Sequence, residues 1–282
     1  MSGQLSLQDM PLPLVKVTPA RLATWDDCRR RYRMAYLDRP TPPRGGAWAH
    51  ATLGAVVHNA LRAVYEMPPA RRSPGRAAGL VGTLWSSEGF RDDRQAAAHR
   101  ERAQDWVARY VAETEVGEPL GIERWVAAPV GGIVAEGRVD RIDAGPHDDA
   151  VVVDYKTGRG VPGPDDARGS RALALYALAA ARTLRRACRR VELHHLPSGT
   201  VAVAEHDEAS LARHRGRAEE SAREMADATA ALAAGGDAEA LFPPTPGGQC
   251  ARCDFRRSCP TGRAASATLP SWALLAPLDE AS

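Results

Sequence analysis

Between Ile122 and Thr157 the text changes period and reads as three strands in a row. The segments are "IERWVAAPV", "IVAEGRVDRID" and "AVVVDYKT", separated by the turns "GG" and "AGPHDD". Short Gly- or Asp-rich turns between β-branched runs specify antiparallel hairpins. A three-stranded meander cannot cover its own faces, so the chain must supply helices to pack on it. Helical periodicity does flank it. "TPARLATWDDCRRRYRMAYL" begins with Thr18 as an N-cap and Pro19 in the first turn, and is expected to form one helix. Leu53, Val57, Leu61 and Val64 recur at helical spacing in the next stretch, and further helical text runs from about Ala77 to Glu115. After the meander come the helix "SRALALYALAAARTL", the strand pair "RVELHHL" and "VAVAEH", and a helix from about Asp207 to Ala234.

The order predicts an α+β protein with a mixed sheet flanked by helices. A single domain is expected over 1–260. It comprises an N-terminal helical part (18–117), a core (121–206), and a C-terminal helix with a Cys segment (207–260). Residues 261–282 are expected as a loosely held tail. A chain of 282 residues with 44% hydrophobic content can bury a core of that size. The net charge of +2 argues neither for nor against a nucleic-acid partner, so local clusters have to decide. No apolar run is long enough to span a bilayer, and the first residues lack the pattern of a secretory signal. A cytoplasmic protein without a membrane partner is expected. Nothing in the text indicates an oligomeric state.

The chemistry concentrates on the second hairpin. A turn centred near His147 sets Asp140 opposite Asp154, on one face of the sheet. Lys156 shares that face and Tyr155 points away. Facing carboxylates repel, and must be neutralised by protonation, a basic partner or a divalent cation. Oxygen ligands of this kind suit Mg²⁺ or Mn²⁺. A surface ladder of charges is the other reading of the same residues. The lysine weighs against it: Lys16 and Lys156 are the only two, and 35 of the 37 basic residues are Arg. A plain salt-bridge partner would be Arg in this chain. A compact ammonium can serve a crowded reaction centre where a planar guanidinium cannot.

Cysteines form a second constellation. Five of them, with no export signal, argue against a disulfide framework. Cys250, Cys253 and Cys259 have the spacing C-x2-C-x5-C, and Cys28, from the first helix, is the candidate fourth ligand. By spacing alone a structural zinc ion and an iron-sulfur cluster fit equally. Cys188 follows a helix and reads as a bystander.

Together, "LGAVVHNAL", "GRVDRID", "VVVDYKTG" and "CARCDFRRSCP" resemble, in this order, the PD-(D/E)XK nuclease superfamily, and within it the RecB-family exonucleases that carry an iron-sulfur cluster. The resemblance implies a restriction-endonuclease-like α+β core. It implies a Mg²⁺ or Mn²⁺ site built from His58, Asp140, Asp154 and the Tyr155 carbonyl, although His58 by periodicity alone could be a core histidine. Asp140, Asp154, Lys156 and Tyr176 are then the catalytic set. Where the family commonly has Gln four residues before that Tyr, this chain has Ala172, and the adjacent Arg171 is the candidate replacement. The resemblance favours a 4Fe-4S cluster on Cys28, Cys250, Cys253 and Cys259, with zinc as the alternative. DNA contacts are expected from Arg30, Arg31 and Tyr32 in "CRRRYRMAYLDR" and from Arg171. The implied activity is metal-dependent cleavage of single-stranded DNA or DNA ends in repair or recombination. A catalytically silent DNA-binding subunit of a helicase-nuclease assembly, which Ala172 favours, is the alternative. The chain has no Walker-type loop, so unwinding would fall to a separate helicase.

Overall fold

The computed structural model of the chain describes residues 14–114 and 116–277. A short strand β1 (Val15–Val17), not anticipated from the sequence, leads into α1 (Pro19–Asp27). The Thr18 hydroxyl accepts from Arg21 N at 3.2 Å, with Pro19 at the first helical position, so α1 starts where its cap dictates. The expected single helix is nevertheless two. Cys28 adopts extended backbone (φ −165°, ψ 115°), and α2 (Arg29–Tyr36) begins afresh after it. The break turns the Cys28 thiol toward the far end of the chain, where Thr245 N donates to its Sγ at 3.5 Å.

Three helices follow: α3 (Ala49–Tyr65), α4 (Pro74–Thr83), capped by Ser73, and α5 (Asp93–Glu113), capped by Asp92. The meander is β2 (Gly121–Val130), β3 (Ile133–Ala144) and β4 (Ala150–Lys156). A short α6 (Pro164–Gly169) precedes α7 (Arg171–Leu184), and then come β5 (Arg190–His195) and β6 (Thr200–Glu205). The chain continues through α8 (Glu208–Ala233), α9 (Ala238–Leu241) and α10 (Pro260–Ala265). The strand order is β1-β3-β4-β5-β6, with β2 also paired to β3. The β1–β3 and β4–β5 pairings are parallel and the others antiparallel, which makes the sheet mixed. This is the restriction-endonuclease-like α+β architecture that the sequence predicts. No helix among the described residues is long and apolar enough to cross a membrane.

Strand alternation sends Val152 into a core with α1, α7 and α8. Val151, Val153 and Tyr155 enter a second core with α3, α4 and α5. Asp154 and Lys156 therefore share β4 with a fully buried opposite face. The β3–β4 ladder pairs Arg141 with Val153 through Ala144 with Ala150, a register centred on His147, whose φ of 57° makes the turn. It stops there, so the two strands part at Asp140 and Asp154.

The expected tail is docked as far as Pro277. Arg159 donates to the carbonyls of Leu275 (2.6 Å) and Ala273 (2.5 Å), Ala49 N donates to Ser271 O at 3.1 Å, and Leu275 is buried in the second core. Apolar residues near the chain's end, Trp272 and Leu275, provide the burial that its Pro- and Ala-rich composition concealed.

Behind the fork lies a buried charge. Arg141, 1% exposed, meets Asp143 at 2.9 Å and donates to the Tyr110 and Tyr155 hydroxyls at 3.0 and 2.8 Å. Its guanidinium also lies over the rings of Tyr65, Tyr110 and Tyr155. The network extends through His194, whose Nδ1 is 2.7 Å from Tyr110 Oη and whose Nε2 is 2.7 Å from Glu192. Removing one partner from such a cluster strands the others in a dry interior. Arg141→Ala is expected to cost about 3–5 kcal/mol in urea unfolding; a loss under about 1 kcal/mol, within the range of surface substitutions, would show that the cage is not structural.

Candidate active site

The parting of β3 and β4 leaves backbone groups without ladder partners, and the site is built on them. Tyr155 N donates to Asp140 Oδ2 at 2.9 Å, so a side chain replaces the missing strand pair. Tyr155 O faces His58 Nε2 at 3.2 Å, and His58 Nδ1 lies 3.4 Å from the same Asp140 oxygen. The imidazole thus bridges a carboxylate and a main-chain carbonyl. Burial alone would depress the His58 pKa; the Asp140 hydrogen bond, with the charges of Asp140, Asp154 and Glu123, outweighs it and raises the pKa.

A third acidic residue, Glu123, closes this group. The ligand-bearing atoms of His58, Glu123 and Asp140 lie within 4.8 Å of one another, close enough to share one cation. Glu123 sits across from Asp140 on β2, at φ 45°, and the β2–β3 register steps from Ile122–Arg141 to Arg124–Val139 around the pair. A left-handed non-glycine residue in a strand re-aims its side chain, and such departures cluster at functional sites. Arg138 Nε holds the Glu123 carboxylate at 2.7 Å. Sequence reasoning missed Glu123, yet the signal was present. The turn "GG" is centred between Gly131 and Gly132, and counting outward from it places Glu123 opposite Asp140 as the next turn places Asp154.

Asp154 stands beside this trio rather than within it. Its Oδ2 meets Lys156 Nζ at 2.6 Å, an ion pair not aligned as a hydrogen bond. Burial pushes the Asp154 carboxyl up; the Lys156 ammonium pulls the other way, and Asp140 adds to the rise. Burial and the Asp140 charge raise Glu123 as well. Three carboxylates are thus crowded together, offset only in part by Lys156, by the exposed Arg138 and by His58, and a divalent cation would relieve their mutual repulsion. Lys156 is 48% exposed and open to a substrate. Tyr176, from α7, packs against the same strands: a Cβ at Gly137 would meet its ring at 2.7 Å. Burial, then the carboxylates of Asp154 and Asp140, push its hydroxyl up to about 12, so it stays protonated.

The four cysteines also converge. Cys28, Cys250, Cys253 and Cys259 line one small cavity, with Arg30, Arg31 and Arg256 around it. No three of their sulfurs lie within 4.8 Å of one another. Cys188 lies elsewhere, buried in the first core, its thiol pushed up to about 12 by burial.

The expected DNA contacts fare differently. Tyr32 is 4% exposed and packs edge-on against Trp25, out of reach of any base. Arg30 is held by Glu239, Arg31 by Asp27 at 3.1 Å and Asp254 at 3.7 Å. Arg171 is held by Asp26 and donates to Ser221 at 3.3 Å, so it does not replace the Gln missing at Ala172. These arginines fasten helices to one another, a use that charge counting cannot distinguish from a binding face.

Fold and site define a domain of the class that cleaves phosphodiesters at a carboxylate-bound metal. A profile of the PD-(D/E)XK nuclease superfamily matches residues 16–260, and the chain belongs to that superfamily. No curated protein matches the sequence. Among solved structures, a protein of Eubacterium rectale named "Putative exonuclease" aligns over 95% of this chain and 96% of its own, at 9% identity and a TM-score of 0.48. The protein SSO0001 aligns over 92% and 91%, at 14% identity and a TM-score of 0.36.

If Glu123 is a metal ligand, Glu123→Gln should weaken Mn²⁺ binding on the order of tenfold or more in a calorimetric titration while leaving the melting temperature nearly unchanged. Unaltered affinity would remove Glu123 from the ligand set.

Proposed function

We propose that this protein is a RecB-type DNA exonuclease, hydrolysing phosphodiester bonds of single-stranded DNA or DNA ends in cytoplasmic repair or recombination, with Mg²⁺ or Mn²⁺. The observation that carries this reading is the meeting of His58, Glu123 and Asp140 beside the Asp154–Lys156 pair. Asp140, Asp154, Glu123, His58 and the Tyr155 carbonyl are the groups that would hold the cation. The bound ion supplies Lewis acidity toward the phosphodiester and strengthens the acidity of water. Lys156 answers the question its rarity raised: its ammonium neutralises Asp154 at rest and can donate to an oxygen that gains charge in the transition state. Tyr176, kept protonated, is a second donor on the same side. Without the ion His58 spans the Tyr155 carbonyl and Asp140, and one of these two contacts would be released for it to ligate.

For the cysteines the reading is a 4Fe-4S cluster. The spacing of the four cysteines admits tetrahedral zinc as well, and the resemblance to cluster-carrying nucleases is what favours the larger centre. Arg256, which lines the same cavity and among the described residues is bonded only to the carbonyls of Arg263 and Ser266, suits a thiolate-bound group of net negative charge. Its role is a staple between the α1–α2 break and the segment after α9. Ala172 is the one feature that favours a silent DNA-binding subunit instead, and unwinding would require a separate helicase.

Anaerobically purified protein is expected to degrade end-labelled single-stranded DNA only with Mn²⁺ or Mg²⁺, and Lys156→Ala and Asp154→Ala should each lose on the order of 10²–10³-fold in rate. Folded, cluster-loaded wild type that binds but never cuts varied DNA substrates would establish the silent subunit. In the same preparations, wild type should contain iron and acid-labile sulfide, and Cys28→Ser should lose both together with part of its thermal stability; stoichiometric zinc without iron would replace the cluster by a zinc site.

A further inference from the structure

Away from both centres, the first turns of α8 and the end of α6 border an open pocket of about 250 Å³. Its walls carry Arg168, Arg213 and Arg217, with Ser210 and His214 at its base and Asp165 as the single acidic group. Neighbouring arginines are paired: Arg171 with Asp26, Arg189 with Glu208, Arg215 with Glu219. Arg168, Arg213 and Arg217 have no carboxylate partner among the described residues, and all three are exposed. Three guanidinium groups against one carboxylate leave the pocket positively charged.

The pocket is built rather than incidental. His214 Nε2 donates to Arg168 O at 3.0 Å and so ties its two walls together. His206, 2% exposed, places Nδ1 2.8 Å from Ser210 Oγ, while its Nε2 is buried with no partner. A buried N–H without an acceptor is the costlier state, so the proton belongs on Nδ1 and is donated to Ser210 Oγ. The Ser210 hydroxyl hydrogen is then free to donate into the pocket. Arginine forks and a hydroxyl donor are the groups that recognise a phosphate. Burial depresses both imidazoles; His214, Arg168 and Arg213 add to the fall at His206 against Asp207, and Arg217, Arg213 and Arg171 add to it at His214.

We infer that Arg168, Arg213, Arg217 and Ser210 form a phosphate-binding pocket that grips the DNA backbone outside the cleavage site. The assignment to DNA rests on the nuclease reading; the affinity for phosphate does not. Position supports the link, because Ser170 joins α6 directly to α7, and Tyr176 follows about 9 Å along that helix at 1.5 Å per residue.

The test compares wild type, Arg213→Gln/Arg217→Gln, and an equal charge change elsewhere, Arg71→Gln/Arg76→Gln. Labelled single-stranded DNA is titrated by fluorescence anisotropy in Ca²⁺ over a range of KCl, with melting temperatures checking the fold. The pocket variant should bind on the order of tenfold more weakly and lose about 0.7 from the slope of log affinity against log salt, the contribution of one single-strand phosphate. The control should do neither. Inorganic phosphate should raise the melting temperature of wild type and of the control more than that of the pocket variant. Unchanged DNA binding with phosphate stabilisation lost would overturn the backbone assignment in favour of a free phosphate. Loss of neither would overturn the pocket itself. Wild type that binds no DNA would sink the nuclease reading, leaving the phosphate measurement alone to decide the pocket.

Discussion

Asp140 is flanked by acidic residues on both neighbouring strands, Glu123 on β2 and Asp154 on β4, and the local structure is organised by that crowding. Like charges directly opposite destabilise a sheet. Here the β2–β3 register skips one facing pair, and the β3–β4 ladder ends before the other. The backbone groups so released are taken up by side chains: Asp140 accepts from Tyr155 N and His58 faces Tyr155 O. Repulsion that would be a defect in an ordinary sheet thus leaves carboxylate oxygens and an imidazole gathered around one point.

Such an arrangement needs a rigid backing, and Tyr155 links the two. Its main chain serves the acidic face, while its ring enters the second core and its hydroxyl accepts from buried Arg141. Arg141 follows Asp140 by one residue and so points to the opposite face. The alternation of a strand therefore couples a charge cage behind the sheet to the carboxylates in front of it. Pre-organisation of this kind matters because a carboxylate displaced by an ångström no longer shares a cation with its neighbours.

How far the sequence could be read follows from the range of the interactions involved. Turn-centred counting placed the β3–β4 register correctly, because a two-fold side-chain period leaves little freedom once the turn is known. The helix break at Cys28 and the docking of residues 261–277 were not legible, since each depends on partners more than 100 residues away. Strand β1 was missed for the same reason: three residues carry no period, and only parallel pairing to β3 makes them a strand. Glu123 differs in kind. Its position was available from the first turn, but it precedes the motif text that drew attention to the second.

Charge was the least legible property, and the reason is physical. With 35 arginines among 37 basic residues, the presence of an arginine says nothing about its use. In "CRRRYRMAYLDR", the densest cluster, Arg29, Arg30, Arg31 and Arg33 all pair with carboxylates on other helices. Those guanidinium groups are neutralised within the fold and present little field to a polyanion. The sparser set of Arg168, Arg213 and Arg217 comes from two segments 45 residues or more apart in the chain and retains its charge. What a nucleic acid meets is the charge left over after folding, so the unpaired arginines, rather than the densest ones, define where this surface can hold a phosphate.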